Sequence, residues 1–190
     1  MAMKINGIGG DFRLPQINKL KYRYVKFEAT LKATVDAIPK TVTVKSALEF
    51  AWTGVVQRST TKACSERFRQ LSRKKTLAEI LDEGDVVLHL LEPKQGYTDE
   101  DLPEGNAAGR DIGLHPWLFF SSDALALTCT LIHELAHVGG ASTDAGAALD
   151  IAHAAEQTLL SCGCKAQYRA GVLGSIKLLR SIGPGGSRFA

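Results

Sequence analysis

In the segment TCTLIHELAHVGGASTDAG, Thr128 to Gly146, two histidines stand four residues apart with a glutamate directly after the first. On a helix, His133 and His137 lie one turn apart on one face, so both imidazoles can reach one metal ion at about 2.0 to 2.1 Å. Glu134 sits beside that face, placed to take a proton rather than to hold the metal. The His-Glu-x-x-His pattern combines these roles in zinc hydrolases: zinc lowers the pKa of its water towards about 7, Glu134 accepts the proton, and the resulting nucleophile attacks a carbonyl that the ion polarises. Two histidines leave such a site one protein ligand short. No G-x-S-x-G elbow, P-loop or dinucleotide-binding glycine fingerprint competes with this chemistry.

The elements around the motif are legible from pattern. SSDALALTCTLIHELAHVGG reads as a helix with capping oxygens at Ser121, Ser122 and Asp123 and a stop at Gly139 and Gly140. A second, alanine-rich helix is expected from about Ala145 to Cys162. Upstream, IGLHPWLFF reads as an edge strand, because Pro116 would interrupt an interior one. Such a strand could hold an extended peptide by backbone pairing. DVVLHLLEP is a compact apolar strand, and KQGYTDEDLPEGNAAGRD between them reads as a loop. Further towards the N-terminus, YRYVKFEATL alternates like a half-buried strand, VKSALEFAWTGVV reads as a helix, and TKACSERFRQLSRKKTLAEILDEG as one long helix or a pair ending at Gly84.

LIHELAHVGGA resembles the zincin metallopeptidases. Within that group, IGLHPWLFF followed by TLIHELAHVGGASTD looks like the aspzincins, in which an aspartate beyond the motif completes the zinc site. The resemblance covers about a third of the chain, and GASTDAGA lacks the tyrosine-glycine ending of the aspzincin pattern. It implies an α+β, zincin-like fold: a small sheet whose edge strand packs on the active-site helix, with the alanine-rich helix alongside. It also implies a zinc-dependent peptidase with a peptide or protein substrate.

Two residues compete for the third ligand. Asp144 follows His137 by seven positions, and Gly139-Gly140 would let the chain turn back towards the metal, although capping the next helix would also account for it. Glu156 follows His137 with 18 residues between, the spacing of the gluzincins, and would reach across from AALDIAHAAEQTLL. Glu156 is the first choice and Asp144 the alternative. His153, one turn before Glu156, reads as a surface histidine. His89 and His115 read as hydrogen-bonded core or edge residues, and nothing in the spacing of Tyr97 or Tyr168 selects either as an oxyanion donor.

Composition sets the frame. The 190 residues, 45% of them hydrophobic, suffice for one domain with an ordinary core. Residues 1–75 form a basic N-terminal part and residues 111–164 the peptidase core. No apolar run reaches the roughly 20 residues of a membrane span, and MAMKINGIGGDF lacks the layout of a secretory signal. The chain is therefore expected to be cytoplasmic as synthesised, with any export independent of a classical signal peptide. Small zincin modules of this organisation also occur as effectors or toxins, for which an inhibitor or immunity protein would be the partner. The four cysteines show no zinc-finger spacing, and Cys162 and Cys164 are too close in sequence to bridge easily to each other; buried free thiols are expected, the alternative being a disulfide that clips Cys162 or Cys164 elsewhere.

The net charge of +3 carries no nucleic-acid signature, yet it is unevenly spread: residues 1–75 hold 16 Lys or Arg against 5 acidic residues, whereas residues 76–111 hold 10 acidic against 2 basic. That asymmetry supports a rival reading, a catalytically inactive zincin-like module docking an acidic protein or nucleic acid through its basic part.

Overall fold

Side-chain caps start two of the helices in this computed structural model, which describes residues 3–16, 21–34, 41–120, 124–141 and 149–164. Helix α1 (Val44–Ser59) begins at Thr43, whose side chain accepts from the Ser46 N–H. The long charged run divides into α2 (Lys62–Arg69) and α3 (Leu77–Asp82). The division falls at Thr76, which forms a reciprocal capping box with Glu79. Helix α4 (Ala124–Val138) carries the His-Glu-x-x-His motif and ends where Gly140 takes a positive φ of 96°. The alanine-rich helix α5 covers Leu149–Ser161 among the described residues. The expected caps at 121–123 and the expected start of the last helix near 145 lie outside them.

The protein is mixed α+β. Strand β5 (Val86–Pro93) is the axis of a small mixed sheet. It pairs in parallel with β1 (Met3–Ile5) and β7 (Asp111–Leu114), and antiparallel with β2 (Tyr22–Val25). Beyond β7, β6 (Gly105–Ala108) closes the sheet as an antiparallel edge, with Gly105 opposite Leu114 and Ala108 opposite Asp111. A separate two-stranded ribbon joins β3 (Lys32–Thr34) to β4 (Thr41–Thr43).

Three sequence expectations change here. The edge strand is β6, inside the segment expected to be a loop, while β7 lies between β5 and β6. Gly-Asn-Ala-Ala has none of the branched or aromatic residues that announce a strand; pairing with β7 and packing against α4 hold it extended. IGLHPWLFF is also not one strand: β7 stops at Leu114, and Pro116 opens a 3-10 turn, Pro116–Phe119, capped by the His115 side chain. Proline's fixed φ and missing N–H suit the first position of a helical turn and exclude it from a paired strand. YRYVKFEATL is similarly a strand only over its first four residues, β2, and β3 begins just after it at Lys32.

Helix α4 is central, packing on α1, α5 and β6. Its Leu131, Ile132, Leu135 and Ala136 are completely buried, as are Leu48, Ala51 and Val55 of α1. Burying each large aliphatic side chain contributes about 1.5 to 3 kcal/mol, so the motif helix is fixed by the core rather than by its own propensity.

The cysteines are not free. Cys64 of α2 is bonded to Cys162, and Cys129 of α4 to Cys164. The C-x-C spacing does prevent a bond within the pair, but the turn after α5 sends the two sulfurs to different helices. The end of α5 is thereby tied to both α2 and α4.

Candidate metal and proton-transfer site

Both motif histidines project from α4 with their rings at 71° and their centroids 4.9 Å apart. Their Nε2 atoms face each other at 3.1 Å. Two nitrogens each about 2.0 to 2.1 Å from a tetrahedral ion lie roughly 3.3 Å apart, so this spacing needs little adjustment to hold one. The outer ring nitrogens are also engaged. His137 Nδ1 lies 3.1 Å from the Ala141 carbonyl, which can only accept, so Nδ1 carries the proton and Nε2 presents its lone pair. His133 Nδ1 lies 3.5 Å from Glu156 Oε1. One ring nitrogen turned to a carbonyl or carboxylate oxygen, with the other turned to a shared point, is how metal-binding imidazoles are commonly oriented.

Glu156 is thus brought to the site, but to the edge of His133 opposite its Nε2. Among the described residues no three His, Cys, Asp or Glu side chains are grouped to hold a metal ion. Asp144 and the side chain of His153 lie outside the described residues, as does Tyr168.

Glu134 is 4% exposed and faces β6, where the Ala107 N–H donates to its carboxyl group. Burial pushes its pKa up to about 8; the nearby charge of Glu104 adds to the rise and the Ala107 bond opposes it. Glu134 therefore holds its proton to higher pH than an ordinary carboxyl group. Gly105 makes this placement feasible: a Cβ there would come within 2.6 Å of Glu134 Oε1. Two tyrosines that sequence reasoning passed over, Tyr22 and Tyr24, also feel the Glu134 charge. Burial, the larger effect, raises the Tyr22 pKa to about 12, and Tyr24 shifts upwards too. The Tyr24 hydroxyl donates to the Asn106 carbonyl and side-chain oxygen at 2.6 and 2.7 Å, bracing the strand that meets Glu134. Their only sequence signal was the alternation of YRYV.

The other candidates sit elsewhere. His89 is wholly buried, with Asn6 3.1 Å from Nδ1 and Asp111 2.6 Å from Nε2. His115 caps its turn by accepting from the Trp117 N–H. Tyr97 is exposed, with the Lys21 ammonium 5.5 Å above its ring. The charge asymmetry is partly answered within the chain: Lys4 pairs with Asp85, Lys21 with Asp101 and Arg23 with Glu92. Beside His137 a cavity of about 430 Å³ opens, lined in part by Ala107, Arg73 and Arg110. No helix among the described residues is long and apolar enough to cross a membrane.

Comparisons with protein-family profiles, with curated proteins and with solved structures found no match.

Proposed function

We propose that the chain is a zinc-dependent hydrolase of peptide bonds, with a zincin-like arrangement of motif helix and edge strand. The observation that carries this reading is the paired orientation of the two imidazoles, Nε2 to Nε2 inside and Nδ1 to an oxygen acceptor outside. His133 and His137 would hold zinc through Nε2. When bound, zinc supplies polarisation of a carbonyl oxygen and acidification of water.

The chain's own groups do the rest. Glu134 takes the proton from the attacking water and returns it to the leaving amine. Its buried setting matches that cycle: a carboxyl group held neutral by burial becomes ionised beside a positive charge and readily takes a proton back. The Ala107 N–H orients it, and Gly105 leaves it room. For the third ligand the geometry favours the alternative over the first choice. Glu156 approaches His133 Nδ1, which supports an orienting role, whereas Asp144 follows Ala141 by only three residues. An extended chain covers about 10 Å in that distance, enough to reach back to His137.

Two disulfides support an oxidising compartment and hence export, which agrees with an effector or toxin and with an inhibitory partner. The rival docking module draws less support, because part of its basic surface is occupied by the chain's own acidic residues.

Zinc titration with a competing chelator tests the assignment. His133→Ala, His137→Ala and Asp144→Asn should each lose zinc severely, whereas Glu156→Gln should weaken it about 10- to 100-fold, as for groups that orient ligands. Unchanged zinc affinity in either histidine variant would end the reading, and severe loss in Glu156→Gln with retention in Asp144→Asn would restore Glu156 as the ligand.

A further inference from the structure

The cavity beside His137 has a strongly polarised wall. Arg73 and Arg110 line it, and behind them stands one carboxylate, Glu83. Its oxygens meet Arg73 at 2.9 Å, Arg110 at 3.5 Å and Lys75 as well. Three cations against one anion leave this corner with a charge of +2.

The guanidinium planes are fixed from behind. Arg73 Nη1 donates to the Val138 carbonyl, while Arg110 donates from Nε to the Asp85 backbone carbonyl and from Nη2 to that of Gly84. Each guanidinium has five N–H donors, and these bonds together with those to Glu83 leave some on both for a ligand. Part-exposed side chains, 40% for Arg73 and 26% for Arg110, keep those donors within reach. The remaining wall is small or apolar: Ala107, Gly109, Val138 and Ala141. Ala107 is also the residue whose N–H holds Glu134, so the cavity adjoins the proton-transfer group as well as His137.

We propose that this cavity is a substrate subsite that selects a carboxylate close to the bond being cleaved. Fixed, partly desolvated guanidinium groups bind a carboxylate more strongly and more specifically than lysines do. About 430 Å³ accommodates an acidic side chain or a peptide C-terminus. That the ligand is a peptide rests on the hydrolase reading; the selection of a carboxylate rests on the arginines alone.

The test measures binding without turnover. Glu134→Gln protein, with and without zinc, is titrated by NMR with acetyl-Ala-Ala-Glu-Ala-Ala-amide, its Gln counterpart, and the all-alanine peptide as amide and as free acid. Among these, at least one carboxylate peptide should bind about tenfold more tightly than its neutral partner. Whether the Glu peptide or the free acid does so identifies the source of the carboxylate. Adding Arg73→Gln or Arg110→Gln should bring that ratio close to one, whereas the matching Lys substitutions should largely keep it. Equal or undetectable binding of all four peptides to the parent protein overturns the proposal, as does a preference that survives both Arg→Gln substitutions. A preference seen without zinc separates this subsite from the hydrolase reading, since failure of zinc binding would leave the ratio intact.

Discussion

Removing the Cys64–Cys162 bond should destabilise the protein more than any other change confined to two side chains. The bond spans 98 positions, and loop-closure entropy gives it about 4.7 kcal/mol at 25 °C. The Cys129–Cys164 bond spans 35 positions, for which the same relation gives about 3.8 kcal/mol. The Cα–Cα distances of 4.4 and 5.9 Å fall within the usual range for bridged residues. A chain of this size shifts by about 2 to 4 °C per kcal/mol, so Cys64→Ala with Cys162→Ala should lower Tm by roughly 9 to 19 °C. Cys129→Ala with Cys164→Ala should lower it somewhat less. Because the loops overlap, removing both bonds should cost less than the sum. Thermal melts of these variants, alongside wild type with and without reductant, provide the measurement. Since the bonds anchor α5, their loss should also loosen Glu156 against His133 and weaken zinc binding. Four titratable thiols in unreduced, denatured wild type, or a Tm indifferent to reductant, would refute the reasoning.

Gly105→Ala drives a methyl group to within 2.6 Å of the Glu134 carboxyl. Displacing that side chain should cost about 1 to 3 kcal/mol in denaturant unfolding and up to about 10²-fold in hydrolysis, with zinc content unchanged. His115 gives a pH dependence of known sign. Burial lowers its pKa from 6.5 to about 4, so the folded state disfavours the proton that the unfolded state binds. Its contribution is fully present above pH 6.5 and is lost as pH falls towards about 4. His115→Asn keeps a capping acceptor but does not titrate, and should gain about 1 to 3 kcal/mol on wild type between pH 7.5 and pH 4.5. Parallel stability curves for the two proteins would refute this.

What the sequence made legible was local. Gly139-Gly140 marked the end of α4, Gly84 marked the end of the charged run, and the His-Glu-x-x-His spacing placed both imidazoles on one face. What stayed hidden depended on contacts distant along the chain. Gly-Asn-Ala-Ala becomes a strand only because β7 and α4 flank it. Each cysteine found a partner at least 35 positions away, which spacing alone cannot assign. Arg73 and Arg110 lie far apart in sequence, and only the fold sets both beside His137. Glu156 was readable as a neighbour of the motif, but which nitrogen of His133 it meets is decided by how α5 packs on α4.

The central claim is tested most directly by comparing zinc-loaded wild type with zinc-loaded Glu134→Gln on a mixed-sequence peptide library, with cleavage followed by mass spectrometry and zinc by elemental analysis. Both proteins should hold close to one zinc per chain, and wild type should cleave in a manner abolished by chelation and restored by zinc. Glu134→Gln should be slower by about 10² to 10⁴-fold, the usual contribution of a positioned general base. Equal rates in the two proteins, or a fully zinc-loaded wild type that cleaves no peptide in the library, would contradict the account.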